Sequence, residues 1–218
     1  MEELELTPGL EGGLYRPLDE AGVKRIADAA LDVLERSGMA VYSESARGAL
    51  AEAGGIVDEA TSVVRMPRAM VEDAIASNPS SITLASRDGR HDVVLEGTRV
   101  HYGTGGTALY VLDPDQGQRR PAETRDVILN ARLIDALDHV HLHTINVFPH
   151  DVENQDDIDI NRFFHSLDHT TKHVMGGIYS LAGCKKVVRM AETFAGAPHA
   201  LRERTFVSFI TLLMTPDR

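Results

Sequence analysis

The chain has 218 residues, a net charge of −11 and 43% apolar residues, a length that suits one large or two small packed domains. Its acidic balance disfavours nucleic acid as a partner, and its single cysteine, Cys184, excludes an intrachain disulfide. We read no signal peptide and no apolar run of about 20 residues in it, so we expect a cytoplasmic protein without membrane contact.

The first 97 residues predict a small domain of helices and short strands. After an extended arm over residues 1–17, apolar residues recur at three- and four-residue spacing through residues 18–38. This spacing predicts a helix with Asp19 as N-cap and Gly38 as its stop. The further predicted elements are a helix over 44–54 capped by Ser43, a strand over 63–66, a helix opened by Pro67, and three short strands within 81–103.

From residue 98 onward, strand and helix patterns alternate. The predicted strands cover 98–103, 141–148, 172–177 and 204–214, and the predicted helices between them cover 124–138 (with Thr124 as N-cap), 157–170 and 180–196. Strand starts spaced ~30–40 residues apart, with a helix in each gap, are typical of parallel β/α units. We therefore predict an α/β fold of the TIM-barrel (β/α)8 type, with an open doubly wound sheet as the alternative. Residues 1–97 would be its preface and residues 98–218 about its first four units.

The last predicted strand has no helix after it. A buried parallel strand needs cover on both faces, so we expect the chain to be the front part of a longer protein or to pair with a second polypeptide. Half a barrel would also leave open strand edges, which favours a homo-oligomer.

In a β/α barrel, functional residues gather at the carboxyl ends of the strands. The segments that follow the four predicted strands are GTGGT (103–107), FPHD (148–151), GGIYS (176–180) and TPD (215–217). Glycine lets a backbone approach a ligand closely, although tight turns explain the same glycines equally well. A dinucleotide site is disfavoured because GTGGT leads into an apolar strand and a hairpin over 108–121, where the dinucleotide fingerprint requires a helix.

Three aromatic residues, Tyr102, Phe148 and Tyr179, lie at or just after these strand ends. Converging rings could hold a tertiary or quaternary ammonium group through cation–π attraction, and ordinary packing is the alternative. The substrate-binding residues predicted from the strand ends are Tyr102, Gly103, Gly105, Gly106, Thr107, Phe148, His150, Gly176, Gly177 and Tyr179.

His141 and His143 form an H-x-H pattern on a predicted strand, and alternation directs both to one face of the sheet, where such a pair can hold a metal. A metal-dependent lyase or hydrolase is therefore an alternative function. Their position at the start of the strand disfavours it, because barrel metals bind at the other end. The aspartates at 156, 157 and 159 fit a helix N-terminus, and Cys184 fits a small packed side chain.

The ordered set of segments also resembles a known family. The segments that carry the resemblance are ALDVLERSGMAVYSESARGALAEAGGIVD (30–58), VVRMPRAMVEDAI (63–75), ITLASRDGRHDVVLEG (82–97), GTGGTALYVLDPDQGQRRPAETRD (103–126) and TKHVMGG (171–177). In content and order they are similar to the trimethylamine methyltransferase family.

The resemblance implies a β/α-barrel methyltransferase that takes a methyl group from a tertiary or quaternary methylated amine, of the trimethylamine or glycine betaine class. The acceptor in the family is the Co(I) of a separate corrinoid protein, so the resemblance implies a cobalamin carried by a partner and neither a metal nor a cofactor bound directly. Pyrrolysine, which some members use, lies in the family's second half, and the catalytic residues stay unassigned. A non-catalytic module that binds quaternary amines is the remaining alternative.

Overall fold

The computed structural model describes residues 9–154 and 157–211. The helices are α1 (Glu20–Arg36), α2 (Glu44–Glu52), α3 (Arg68–Ala76), α4 (Thr124–Asp135), α5 (Ile158–His169), α6 (Leu181–Ala195) and α7 (Pro198–Glu203). The strands are β1 (Leu10–Glu11), β2 (Met39–Ala40), β3 (Ile56–Asp58), β4 (Val63–Arg65), β5 (Ser81–Leu84), β6 (Val93–Glu96), β7 (Arg99–Val100), β8 (Tyr110–Leu112), β9 (Arg119–Pro121), β10 (Leu142–Thr144), β11 (His173–Gly177) and β12 (Val207–Ile210).

Contacts between Cα atoms divide the described residues into two compact units, residues 13–80 and residues 81–211 with 9–12. This division is based on contacts, whereas the predicted boundary between residues 97 and 98 marks where a barrel would begin. That boundary stays a prediction.

Residues 13–80 form three helices and an antiparallel sheet in the order β2-β4-β3. The predicted caps of α1 and α2 are confirmed. The Asp19 carboxylate accepts the Gly22 N–H at 2.7 Å, and the Ser43 hydroxyl accepts the Ala46 N–H. Gly38 ends α1 at φ 69°, a left-handed conformation that glycine adopts without strain. Pro67 is the N-cap of α3 and stands just outside the helix that it was predicted to open.

The predicted arm is in part a strand. Residues 1–8 lie outside the described residues, but Leu10 and Glu11 pair antiparallel with Val100 and Arg99. The extended conformation predicted for the arm is therefore found in this short stretch, where both residues are also exposed.

The second unit is organised by a parallel sheet in the order β10-β11-β12. Helices α5, α6 and α7 cover one face of it, as the predicted β/α pattern requires. Their shared core is apolar and consists of Ile145, Phe163, Leu167, Val174, Val187, Ala191, Leu201, Phe206 and Val207. Helix α7 was not predicted, because six residues are too few for a clear helical period.

A fourth extended segment lies beside β10. Gly103 and Ala108 form parallel bridges with Leu142 and Val147, and both bridges span the same sequence separation, 39 residues. Residues 103–108 thus run in register along β10. The prediction that the first strand ends at residue 103 is wrong, because Gly103 is level with the first residue of β10.

The hairpin predicted over residues 108–121 is confirmed as β8 and β9, which pair antiparallel. The predicted N-cap of α4 is wrong. Glu123 is the cap, and its N–H donates to the Asp126 carboxylate at 2.8 Å. Thr124 instead donates its N–H and hydroxyl to Asp151.

The fold of the described residues is mixed α/β, and no closed barrel is formed within them. Among the same residues, no helix is long and apolar enough to cross a bilayer.

Candidate functional site

Four aromatic side chains form a continuous row at the carboxyl end of the parallel sheet. Tyr110 lies 6.1 Å from His150, His150 lies 5.6 Å from Phe148, and Phe148 lies 5.7 Å from Tyr179, measured between ring centroids. We call these four residues the aromatic row. The structure therefore brings together Phe148, His150 and Tyr179 from the predicted set, and it adds Tyr110 from the hairpin.

The register of the sheet explains why Phe148 meets Tyr179. Thr144 of β10 pairs with Met175 of β11, and Phe148 and Tyr179 each follow this pair by four residues along their own segments. The two rings meet edge to face at 76°, a favourable aromatic geometry. Phe148 is half-buried, whereas Tyr179 is 60% exposed.

A guanidinium group lies near each end of the aromatic row. The Arg119 guanidinium is 3.8 Å from the centroid of Tyr110, and that of Arg162 is 5.1 Å from the centroid of Tyr179. The rings at both ends thus already take part in cation–π contacts, which shows that they can attract positive charge.

His150 has a fixed tautomer when it is neutral. Its Nδ1 lies 3.3 Å from the Ala122 carbonyl oxygen, which also accepts the His150 backbone N–H at 2.8 Å. Because a carbonyl only accepts, Nδ1 carries the proton and Nε2 carries the lone pair. His150 is exposed, so this lone pair is available to a ligand at the row.

Tyr102 does not join the aromatic row. Its carbonyl accepts the His141 N–H, which places it at the amino end of the sheet. Seven residues separate that level from Phe148, a distance of roughly 20 Å along a strand. The expectation that three rings converge is therefore wrong for Tyr102.

The predicted glycines fall into two groups. Gly105 and Gly106 have no atom within 4 Å of where a Cβ would stand, and Thr107 lies next to them on the exposed side of the segment beside β10. Gly103 faces the side chain of Leu142. For Gly176, a Cβ would stand 2.8 Å from Phe163 Cζ and 2.9 Å from Ile145 Cδ1, so packing against α5 accounts for this glycine.

A buried charged pair lies beneath the loop that carries Tyr179. Arg162 is fully buried, and its Nη2 donates to the Gly177 carbonyl at 2.7 Å. Asp159 is 3% exposed, and its Oδ2 accepts the Tyr179 N–H at 3.1 Å. Asp159 thus bonds the site loop as well as standing in the first turn of α5.

Sequence reasoning missed Arg162, and it placed Asp159 correctly at a helix N-terminus without its bond to the loop. The signal that could have found them is the spacing of Asp159, Arg162 and Ser166, which places polar side chains on the buried face of an otherwise apolar helix stripe. Tyr110 was missed, although its hairpin was predicted, because its contact with His150 depends on the bridge between Ala108 and Val147, which the local sequence pattern does not reveal.

His141 and His143 serve packing at the other end of the sheet. His141 Nδ1 accepts the Tyr102 N–H at 3.0 Å, and His143 Nε2 bonds the Ser166 hydroxyl at 3.2 Å. Burial lowers the pKa of His143 to about 4. No group of three or more His, Cys, Asp and Glu suited to a metal occurs in the described ranges. These contacts favour a structural role for the histidine pair.

Comparison with known proteins identifies the chain's relatives. The family model for trimethylamine methyltransferase matches residues 5–216. The chain belongs to the trimethylamine methyltransferase family. The resemblance predicted from the ordered segments is thereby confirmed.

Three curated relatives illustrate this membership. The chain is 36% identical over 183 residues to the trimethylamine methyltransferase MttB of Desulfitobacterium hafniense, a match that covers 84% of the chain and 37% of the relative. It is 30% identical over 154 residues to MttB of Methanosarcina thermophila, covering 69% of the chain and 32% of the relative. It is 29% identical to MttB1 of Methanosarcina mazei over the same length, covering 69% of the chain and 31% of that relative. The chain spans about a third of the length of these trimethylamine methyltransferase family members.

Proposed function

We propose that the chain forms part of a methyltransferase that moves a methyl group from a tertiary or quaternary methylated amine to the Co(I) of a corrinoid protein. The observation that carries this proposal is membership of a family whose curated relatives are named trimethylamine methyltransferases. Trimethylamine and glycine betaine are the two substrate classes that we propose, and the cytoplasm is the proposed compartment.

The aromatic row forms a binding site whose rings suit such a substrate, and we call this site the aromatic seat. Phe148 and Tyr179 offer ring surfaces at the carboxyl end of parallel strands, the place where β/α folds bind ligands. A methylated ammonium group spreads its positive charge over its methyl groups, so aromatic rings bind it without the strong hydration cost of a bare ammonium. Tyr102 is not part of this seat, because it lies at the other end of the sheet.

We propose a β/α barrel as the complete architecture. The sheet of β10, β11 and β12, extended by residues 103–108 in register, supplies four parallel segments that alternate with α4, α5 and α6. The further strands would come from the remaining length that the relatives have, or from a second polypeptide. The open edges of these segments also support association of the chain into a homo-oligomer.

The transfer requires little proton chemistry from the protein. The methyl carbon leaves the amine nitrogen, which keeps the bonding electron pair and departs as a neutral amine. The carbon bonds to the reduced cobalt, which is a substrate carried by the partner. What the chain's own residues contribute is position and exclusion of water around the ammonium group. A tertiary amine departs as a neutral secondary amine only when its nitrogen carries a proton, so we propose the ammonium form as the substrate, with its N–H donating to the free Nε2 of His150.

Binding of tetramethylammonium tests the proposed seat. We expect Phe148→Ala and Tyr179→Ala to raise its dissociation constant about five- to tenfold, the loss expected when one ring leaves a cation site. Tyr102→Ala is the matched control and leaves the constant unchanged. Equal affinity in all four proteins, measured by NMR titration, would remove the aromatic seat.

Methyl transfer itself is tested with the chain expressed together with the part of the Desulfitobacterium hafniense relative that lies outside the match. Trimethylamine or glycine betaine is added with a corrinoid protein reduced to Co(I), and the cobalt absorption spectrum is followed. We expect methylation with at least one of the two amines. A spectrum that stays that of Co(I) with both amines, from a complex that binds tetramethylammonium, would contradict the proposed reaction.

A further inference from the structure

The loop between β11 and α6 carries the exposed Tyr179, and two buried charged residues of α5 bond to it. Three bonds connect it to α5. Arg162 Nη2 donates to Gly177 O, Arg162 Nη1 lies 3.4 Å from the Tyr179 hydroxyl, and Asp159 Oδ2 accepts the Tyr179 N–H. A surface side chain is thus fixed at its backbone, its ring face and its hydroxyl.

Holding a loop in this way carries a large desolvation free energy. Burying a carboxylate and a guanidinium costs several kcal/mol per ion, and apolar residues of similar size often stabilise a fold as well or better. The pair is also incompletely bonded. Within the described residues, Asp159 Oδ1 and Arg162 Nε have no hydrogen-bond partner, and Asp159 Oδ1 stands 4.0 Å from Arg162 Nη2. Stability alone is therefore a poor explanation for the pair.

The first turn of α6 packs closely against the Asp159 carboxylate. A Cβ on Gly183 would stand 2.5 Å from Asp159 Oδ2 and 3.1 Å from Ser180 Oγ. The Gly183 N–H also donates to Ser180 Oγ at 2.9 Å, which caps the helix. The carboxylate and the cap thus hold the loop, and a side chain at position 183 would displace the carboxylate.

We propose that Asp159 and Arg162 are positioning residues, which hold the loop over 177–180 so that the Tyr179 ring stands against Phe148 in the aromatic row. This inference rests on the proposed function, in which those two rings seat a methylated ammonium group. The pair acts through Tyr179 and sets affinity for the cation without touching it.

Two variants separate positioning from simple stability. Arg162→Lys keeps a positive charge beside Asp159 but cannot bond Gly177 and Tyr179 together through a planar fork. The double variant Asp159→Ala with Arg162→Met removes both buried charges at once, so it leaves no unpaired ion in the interior. Arg204→Lys is the control, since Arg204 pairs with Asp92 outside this loop.

The readouts are the hydrogen-exchange rate of the Tyr179 amide, the nuclear Overhauser contact between the Phe148 and Tyr179 rings, and the dissociation constant of tetramethylammonium. In both loop variants we expect faster exchange, a weaker ring contact and a dissociation constant about tenfold higher, with a melting temperature of the double variant close to that of the parent. Arg204→Lys changes none of the three.

Parent-like exchange and ring contact in both variants would overturn the positioning role, and so would a parent-like dissociation constant. If the parent itself binds no tetramethylammonium, the aromatic seat of the proposed function fails. The exchange rate and the ring contact then still decide whether the pair positions Tyr179.

Discussion

Replacement of Lys172 tests how the carboxyl end of α4 is joined to β11. The Lys172 side chain is buried to 1% exposure, and its Nζ donates to the carbonyls of Ile134, Leu137 and Val140 at 2.7, 2.6 and 2.8 Å. These carbonyls lie at and just after the end of the helix, and two of them also accept a backbone N–H, Ile134 O from Leu137 and Leu137 O from Val140. Lys172 therefore caps α4 from the neighbouring strand.

Lys172→Met keeps the aliphatic stem and removes all three donors. Within the described residues only the Val140 carbonyl is left without a donor, while the other two each lose a charge-assisted bond, so we expect the free energy of unfolding to fall by about 2–4 kcal/mol. Urea unfolding followed by circular dichroism measures it as a lower midpoint at an unchanged slope.

Lys186→Met is the matched control. Lys186 has a side chain that is 46% exposed and pairs with Asp157 on the surface, so its loss shifts the unfolding free energy by only about 0.5 kcal/mol. A loss below about 1 kcal/mol for Lys172→Met would refute the reasoning, because it would mean that the three carbonyls do not depend on this donor.

Three further outcomes are expected. Because burial lowers the pKa of His143 to about 4, its neutral form contributes stability that is complete above pH ~6.5 and is lost as the pH falls to 4, a change of about 3 kcal/mol. His143→Gln should flatten this part of the stability profile in urea titrations, whereas His199→Gln should not. Gly176→Ala should lower the unfolding free energy by about 1–3 kcal/mol through overpacking, whereas Gly177→Ala, with open space beyond it, should be nearly neutral, both read from melting temperature. Arg120→Met breaks the ion pairs with Asp113 and Asp126 and should lower the free energy of unfolding, with faster hydrogen exchange of the β8 and β9 amides as the measured effect.

Much of the second unit could be predicted because its elements have strong local signals. Helices α4, α5 and α6 show apolar positions at helical spacing, and β11 is a short apolar run that a glycine pair closes. The caps Asp19 and Ser43 were predictable for the same reason, since a short polar side chain before an apolar periodic stretch bonds the free N–H groups of a helix start.

The first parallel segment could not be placed because its pairing is not local. Residues 103–108 contain three glycines and no alternating apolar pattern, so only the bridges to Leu142 and Val147 reveal that they run beside β10. That error moved Tyr102 to the wrong end of the sheet. The spacing of Asp159 and Arg162 could show that they lie on the buried face of α5, but not what they bond, because their partners in the loop over 177–180 are brought to α5 only by the fold.

The constant separation of the two bridges has a consequence for how residues 103–108 can vary. Side chains could be added at Gly105 and Gly106, where space is open, without disturbing the sheet. Removing one residue would rotate every later side chain to the opposite face of the sheet and draw Tyr110 away from His150. The number of residues in this segment, more than their identity, is what keeps the hairpin tyrosine beside the histidine.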